Sequence, residues 1–132
     1  MADHLARYAL ADLFLDTYPY NAHTTALDAL KAGLPILTLK GESFASRVAA
    51  SLLTAINLPE LITSSPEEYE ALAIELATNP QKLATLRQAL AENRTTAPLF
   101  NTPLFTTHLE SAYLKMYERY QMGLEPDHLF VD

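Results

Sequence analysis

The first third of the chain combines two apolar runs with a helical repeat between them, a pattern that predicts a strand–helix–strand unit. Residues 11–16 begin as an apolar run and end at a polar turn, as expected of a buried strand. Leu27, Leu30 and Leu34 are spaced three to four residues apart, which is the apolar stripe of a short helix. A second apolar run over residues 35–39 follows. Strands joined by a crossover helix are parallel, so we expect a parallel sheet.

The remaining pattern predicts one more strand and several helices. The predicted elements are a short helix over residues 3–10, a helix over 42–56 that Ser43 can cap, a strand over 60–63, helices over 66–78, 81–93 and 104–122, and an irregular segment over 95–103. The fold class is therefore α/β, with a short parallel sheet, flanking helices and a helical C-terminal part. The chain has 132 residues, a length that suits one domain covering residues 1–132.

Three side-chain patterns on the predicted helices lead to specific expectations about packing. Small residues dominate 42–56, so this helix should pack closely on the sheet through the face of Phe44, Val48, Leu52 and Ala55. Arg47 interrupts that apolar element, and we expect it to pair with an acid such as Asp16 or Glu42. An aromatic stripe follows one face of the last helix, and packing is its expected role. Its members are Leu109, Tyr113, Met116, Tyr117 and Tyr120.

Composition limits the classes of function. The chain has no Cys, which excludes disulfides and thiolate metal sites. A net charge of −7 without a basic stripe argues against a nucleic-acid partner. No apolar run approaches the ~20 residues of a membrane span, so no membrane partner is expected. The first residues lack the basic and apolar regions of a signal peptide, and a cytoplasmic protein is the default expectation.

The turn after the first predicted strand carries the most promising chemistry. Ligands of parallel α/β sheets bind beyond the carboxyl ends of the strands, at a helix start. Asn21, His23, Thr24 and Thr25 occupy that position, and all four side chains form hydrogen bonds. Free N–H groups, two hydroxyls and an imidazole suit an anion such as a diphosphate. The alternative is that Asn21 or Thr24 only caps the helix.

Two further sets of residues lie where a nucleotide could reach them. Asp28 follows Thr25 by three residues and shares its helix face, where a carboxylate could accept hydrogen bonds from ribose hydroxyls. His4 and Arg7 also share a face and could contact a base. The alternative for both sets is ordinary solvated surface.

No catalytic constellation is evident in the sequence. It contains no Ser–His–Asp motif, no metal-spaced His or Cys cluster and no nucleophile elbow. A function of another class therefore remains open: a helical interaction module in which the long last helix and the acidic surface bind a partner.

Three separated motifs, in order, resemble the C-terminal catalytic domain of O-linked N-acetylglucosamine transferases. The first is Asp16-Thr17, Asn21-Ala22-His23-Thr24-Thr25, Asp28-Ala29-Leu30 and Ala32-Gly33-Leu34-Pro35; the second is residues 41–53; the third is residues 98–102 with the helix that carries Tyr113 and Tyr117. The resemblance covers nearly the whole chain.

This resemblance implies half of a Rossmann-like domain of the GT-B type, in a metal-independent, inverting glycosyltransferase. The donor is a UDP-sugar and no cofactor is expected. By the family pattern His23, Thr24 and Thr25 meet the diphosphate, Asp28 meets the ribose, and His4 and Arg7 lie at the uracil. The acceptor implied is a Ser or Thr hydroxyl of a protein, and an Asn side chain or a small metabolite is the alternative.

The chain also departs from the family pattern. Met1 occupies the position of a family lysine. The upstream phosphate-gripping residues, the first catalytic domain and the tetratricopeptide repeats that usually hold the protein acceptor are absent. We therefore expect a C-terminal fragment, or a truncated relative, that is inactive alone.

Overall fold

The described part of the molecule is residues 2–131 of a computed structural model, so Met1 lies outside it. The chain divides into two compact units, one ending at Leu99 and the other beginning at Phe100. Each is described by itself below. The expectation of one domain over residues 1–132 stays a prediction.

The elements follow the predicted order of helices and strands. They are α1 (Ala2–Arg7), β1 (Phe14–Leu15), α2 (Thr24–Ala32), β2 (Ile36–Leu39), α3 (Val48–Ala55), β3 (Ile62–Thr63), α4 (Pro66–Thr78), α5 (Pro80–Thr96) and α6 (Thr102–Gln121). Short 3-10 turns at Tyr8–Leu10, Phe44–Ser46, Pro59–Leu61 and Pro98–Phe100 precede or follow these elements.

The strands form a parallel sheet in the order β1-β2-β3. Phe14 pairs with Ile36 and Thr38 pairs with Ile62, so β2 lies between the other two strands. All four residues of β2 are buried, as expected of a central parallel strand covered on both faces. The predicted short parallel sheet with flanking helices is thus confirmed.

The first strand is shorter than predicted. The prediction covered residues 11–16, whereas only Phe14 and Leu15 are strand. Asp12 lies within the predicted run, and its carboxylate forms an ion pair with Arg87 of α5 at 2.9 Å. The segment before Phe14 therefore serves a surface contact rather than a strand pairing.

Helix α2 ends at Gly33, and Gly33 followed by Pro35 is the usual sequence pattern of a helix stop before a strand. Gly33 has φ of 87°, a left-handed conformation that glycine adopts without steric cost. Its N–H donates to the carbonyl of Leu30, and the N–H of Leu34 donates to the carbonyl of Ala29. These bonds end the helix and direct the chain into β2.

The helix after β2 packs through a different face from the one predicted. A 3-10 turn capped by Ser43, as expected, precedes α3. The buried residues of α3 are Ala49, Ala50 and Leu53, whereas Phe44 is 81% exposed. The expected packing face is wrong: in α3 the small residues Ala49 and Ala50 are buried together with Leu53, and the 3-10 turn at Phe44–Ser46 takes Phe44 off the helix.

The two helices after β3 form as their sequence signals predict. The side chain of Ser65 caps α4 by accepting from the N–H of Glu68, and Asn79 caps α5 by accepting from the N–H of Lys82. Leu86 and Leu90 face inward, as predicted. Helix α5 continues to Thr96, three residues past its predicted end, and so shortens the irregular segment.

The second unit consists of α6 and an extended tail. Asn101 caps α6 by accepting from the N–H of Leu104. The ammonium of Lys115 donates to the carbonyl of Phe130 at 2.6 Å, and Arg119 lies 3.6 Å from the carboxylate of Asp127. The tail therefore runs back along its own helix. The aromatic stripe of α6 is exposed, so the packing role expected of it is not realised within residues 2–131.

None of the helices within residues 2–131 combines the length and the apolar character that crossing a membrane would need.

Candidate functional site

A buried carboxylate holds the turn between β1 and α2. Asp16 follows β1 directly and is only 6% exposed. Its Oδ1 accepts hydrogen bonds from the N–H of Thr17 at 2.9 Å and the N–H of Ala22 at 2.8 Å. Its Oδ2 accepts from the hydroxyl of Thr38 on β2 at 2.7 Å. One side chain thus joins both ends of the turn to the neighbouring strand.

Asn21 extends this network towards β2. Its Nδ2 lies 2.9 Å from both Thr38 Oγ1 and the carbonyl oxygen of Leu39. A carbonyl can only accept, and the Thr38 hydroxyl already donates to Asp16, so the amide must donate both bonds. Asn21 is 1% exposed, which rules out the ligand contact that the sequence suggested. Its Oδ1 has no hydrogen-bond partner among residues 2–131.

Helix α4 closes the network from the other side. The hydroxyl of Tyr69 donates to the backbone carbonyl of Asp16 at 2.8 Å. Burial and the negative charge of Asp16 raise the pKa of Tyr69, because both disfavour the phenolate. The hydroxyl of Thr63 donates to the carbonyl of Thr38 at 2.9 Å. The end of β1 is therefore linked to β2, β3 and α4.

The start of α2 is left open. His23 occupies the N-cap position, and its side chain makes no capping hydrogen bond within the described chain. Thr24 and Thr25 form the first turn, and both are exposed. The alternative expected from the sequence was that Asn21 or Thr24 caps this helix, and it is wrong because the N-cap residue is His23. The first N–H groups and two hydroxyls of α2 are thus available to an anion.

His23 packs against two aromatic residues that no pattern in the sequence groups with it. Its ring stacks on Tyr20 with centroids 5.3 Å apart and meets the edge of Phe44 at 5.9 Å. Its Nε2 lies 3.3 Å from the carbonyl oxygen of Ala45. Because a carbonyl accepts, Nε2 carries the proton in this contact, and Nδ1 is the nitrogen left for another partner.

The nucleoside-side candidates His4 and Asp28 lie together, next to Thr25. His4 Nε2 is 3.7 Å from Asp28 Oδ2 and 3.5 Å from the hydroxyl of Tyr8. That hydroxyl donates to the backbone carbonyl of Thr25 at 3.3 Å. Burial and the charge of Asp28 raise the pKa of Tyr8. Tyr8 therefore links α1 to the start of α2, although the sequence analysis did not select it.

The two arginines singled out from the sequence line two different depressions. Arg7 is exposed and lines an open depression of about 410 Å³ with His4, Tyr8 and residues of β1. Within the described chain, Arg7 forms no ion pair. Arg47 forms none either in that part of the molecule, and Asp16 is fully occupied by other donors, so the expected pairing of Arg47 is wrong. Arg47 instead lines a groove of about 860 Å³ beside α3.

The sequence did contain signals for some of the residues it missed. Tyr8 follows His4 by four residues, which places the two on one helix face. Thr38 is the only polar residue in an otherwise apolar run of the central strand, and a buried hydroxyl needs a partner. Tyr20 and Phe44 gave no such signal, because their contact with His23 depends on two loops that only the fold brings together.

Comparison with known proteins identifies the family. The model of glycosyl transferase family 41 matches residues 1–109. A probable UDP-N-acetylglucosamine–peptide N-acetylglucosaminyltransferase SEC from Arabidopsis thaliana is 44% identical over 131 residues, which is 98% of this chain and 13% of that protein. A UDP-N-acetylglucosamine–peptide N-acetylglucosaminyltransferase from Caenorhabditis elegans is 39% identical over 96% of this chain and 11% of that protein.

A solved structure gives the same answer. A mutant of the Thermobaculum terrenum O-GlcNAc transferase superposes with a TM-score of 0.83 and 38% identity, covering 89% of this chain and 22% of that chain. The resemblance found in the sequence motifs is confirmed, as is the assignment to half of a Rossmann-like GT-B domain. The chain spans less than a quarter of the length of each of these relatives. It belongs to glycosyl transferase family 41.

Proposed function

We propose that this chain is the donor-nucleotide-binding part of an inverting glycosyltransferase that moves N-acetylglucosamine, or a related sugar, from UDP to Ser or Thr of proteins. The observation that carries the proposal is the uncapped start of α2, which adjoins the cluster of His4, Tyr8 and Asp28. Phosphate-side and nucleoside-side groups thus share one continuous surface.

The phosphate side of this surface is the first turn of α2. The N–H groups there point out of the helix, and the helix dipole places partial positive charge at the same end. The hydroxyls of Thr24 and Thr25 add donors. Nδ1 of His23 would donate to a phosphate only in the doubly protonated imidazolium, because Nε2 already carries the proton that contacts the carbonyl of Ala45. The N–H groups of this turn can donate hydrogen bonds to a diphosphate directly.

The nucleoside side is the face formed by α1 and the middle of α2. Asp28 is partly buried, with 22% of its side chain exposed, and its carboxylate can accept hydrogen bonds from both ribose hydroxyls. His4 lies beside it on α1, and Arg7 belongs to the same short helix. A uracil seated against this helix would place its ribose at Asp28 and its phosphates at Thr25.

The chemistry that follows from this arrangement is stabilisation of the leaving group. When the acceptor hydroxyl attacks the anomeric carbon, the bond to the diphosphate breaks and its electron pair stays on UDP. The N–H groups at the start of α2 would stabilise that charge most strongly as it develops. The contact of His23 Nε2 with the carbonyl of Ala45 holds this imidazole before the reaction, so little reorganisation of the ring is needed.

Other parts of the reaction require residues outside this chain. The sugar, the acceptor and the proton-accepting base have no assigned group among residues 2–131, and we expect the protein acceptor to be held by upstream repeats. We therefore expect the isolated chain to bind UDP without transferring sugar. Independence from metal ions and cofactors stays a prediction, to be checked by measuring UDP binding with and without EDTA.

The experiment that tests the proposal is a titration of the ¹⁵N-labelled chain with UDP, followed by amide chemical shifts. We expect the largest shifts at residues 23–28 and in α1. A Thr24→Val, Thr25→Val double variant should weaken UDP binding, because it removes both hydroxyls while keeping the side-chain shape. Thr85→Val, an exposed helical threonine whose hydroxyl bonds only to the carbonyl of Gln81, is the matched control.

Three outcomes would count against the proposal. Shifts scattered over the surface, or shifts that orthophosphate reproduces at the same concentration, would mean that no nucleotide site exists here. Equal binding by the double variant and the Thr85→Val control would mean that the start of α2 is not the phosphate site.

A protein-interaction role is the second candidate, and it concerns the second unit only. The side chains of Tyr113, Tyr117 and Tyr120 are all more than half exposed along one stripe of α6. Exposed apolar stripes of this kind mark interaction surfaces. This role is compatible with the first, since the stripe and the start of α2 belong to different units.

A further inference from the structure

Resting on the proposed function, we propose that Asp16 is a positioning residue for donor binding. Its buried carboxylate fixes residues 17–22, and so holds the first N–H groups of α2 in the orientation that receives the diphosphate. Asp16 itself does not touch the nucleotide in this proposal. It acts through the turn that leads into His23.

The contacts of the carboxylate support an action through the backbone. Two of its three hydrogen bonds come from N–H groups at the two ends of one turn, Thr17 and Ala22. The third comes from Thr38, which anchors the carboxylate to the central strand. A side chain that binds both ends of a turn and a rigid strand fixes the path of that turn.

The residues that enter α2 are held from the opposite side as well. The N–H of Asn21 donates to the carbonyl of Ala45 at 3.2 Å, and Nε2 of His23 contacts the same oxygen at 3.3 Å. The side chain of Asn21 binds Thr38 and Leu39. The approach to α2 is therefore clamped between β2 and the turn at Phe44–Ser46, with Asp16 as the only charged member of the clamp among the described contacts.

The charge of Asp16 makes the proposal testable by the sign of an effect. A carboxylate close to a diphosphate repels it, so simple electrostatics predicts that neutralising Asp16 strengthens UDP binding. Positioning predicts the opposite, because charge-assisted bonds to backbone N–H groups are stronger than neutral ones and their weakening loosens the turn. The two explanations differ in direction and not only in size.

The experiment compares UDP and uridine binding in Asp16→Asn, Asp16→Ala and the wild-type chain. Uridine lacks the phosphates, so its affinity measures binding at the nucleoside side, Asp28 and α1, alone. We expect the dissociation constant of UDP to rise about threefold in Asp16→Asn and about tenfold in Asp16→Ala, with uridine changed less than twofold. Asp12→Asn is the control, since Asp12 is an exposed carboxylate paired with Arg87 outside the turn.

Amide exchange supplies a second measurement that does not depend on binding. Exchange of the Ala22 N–H should accelerate at least tenfold in Asp16→Ala, with the effect confined to about residues 17–25. If Asp16→Ala does not fold, Asp16→Asn carries both measurements, since it keeps one acceptor oxygen and nearly the same shape.

Each other outcome is informative. Tighter UDP binding by Asp16→Asn, equal losses for UDP and uridine, or accelerated exchange throughout the first unit would overturn the proposal. If the wild-type chain binds uridine and UDP equally or not at all, the proposed function fails instead. Local acceleration at Ala22 would then still support the positioning of α2 by Asp16, and unchanged exchange there would refute it.

Discussion

Replacement of Thr38 by valine tests the network beneath the candidate site at its central member. Thr38 is fully buried on β2. Its hydroxyl donates to Asp16 Oδ2 at 2.7 Å and accepts from Asn21 Nδ2 at 2.9 Å. Valine has nearly the same shape, so the substitution removes two hydrogen bonds while opening no cavity.

The expected cost follows from the kinds of bond lost. A hydrogen bond to a charged group contributes about 1.5–3 kcal/mol and a neutral one about 0.5–1.5 kcal/mol. The Asn21 amide keeps its bond to the Leu39 carbonyl, which limits the second loss. Thr38→Val should therefore lower the free energy of unfolding by about 3 kcal/mol.

Thr63→Val provides the matched comparison. Thr63 is also a buried strand threonine, 5% exposed, but its hydroxyl makes a single neutral bond, to the carbonyl of Thr38. Its replacement should cost about 1 kcal/mol. The two variants differ by the charged bond, so their unfolding free energies should differ by about 2 kcal/mol.

The assay is urea unfolding followed by far-UV circular dichroism. With a slope of about 1–3 kcal/mol per molar urea, a 2 kcal/mol difference separates the two midpoints by about 1 M. If Thr38→Val is no more destabilising than Thr63→Val, the bond from Thr38 to Asp16 does not contribute as argued. The account of a charged network under the site would then be wrong.

Three further predictions address the nucleotide, the pH dependence and the loop after β2. In calorimetry, Asp28→Asn should weaken the binding of both uridine and UDP by about tenfold, whereas Thr25→Val should weaken the binding of UDP and leave that of uridine unchanged. If Asp28→Asn weakens the binding of UDP alone, the assignment of Asp28 to the ribose is contradicted. Tyr69→Phe should cost about 1 kcal/mol at neutral pH by removing the bond to Asp16. The pKa of Tyr69 is raised in the folded state, so the stabilisation by its hydroxyl is present below the ordinary value of 10.0 and is lost as pH rises through the raised pKa. The free energies of unfolding of wild type and Tyr69→Phe, measured in urea, should therefore converge at alkaline pH. Gly41→Ala should lower the melting temperature and reduce the free energy of unfolding by about 1–3 kcal/mol, because the added Cβ would lie 2.6 Å from Ser46 Oγ and 2.9 Å from Tyr18 Cε2. An unchanged melting temperature would show that the loop moves to accommodate the methyl group without cost.

Local signals in the sequence were sufficient to predict the order and type of nearly every element. The Gly33 stop and the caps Ser43 and Ser65 act within a few residues, so their effect can be predicted without a fold. The parallel sheet followed from the short crossover between two apolar runs. The candidate residues at the start of α2 were equally visible, because helix starts beyond parallel strands are where polar ligands bind.

Contacts between distant segments could not be predicted in this way. The sequence placed Asn21 at the ligand and paired Arg47 with an acid such as Asp16 or Glu42. In the fold Asn21 is buried against β2, and Asp16 is occupied by Thr38 and the turn. The prediction of the face by which α3 packs was also wrong, since Ala49, Ala50 and Leu53 are the buried residues of that helix.

Local patterns along the chain were therefore enough to predict the elements, the family motifs and the location of the candidate site. Which polar groups face outward and which bind one another follows from the fold. Periodicity and capping depend on neighbours along the chain. The buried hydrogen bond between Asp16 and Thr38, in contrast, joins two residues that are 22 positions apart in the sequence. Whether such a group is available to a ligand depends on partners that folding alone brings within reach.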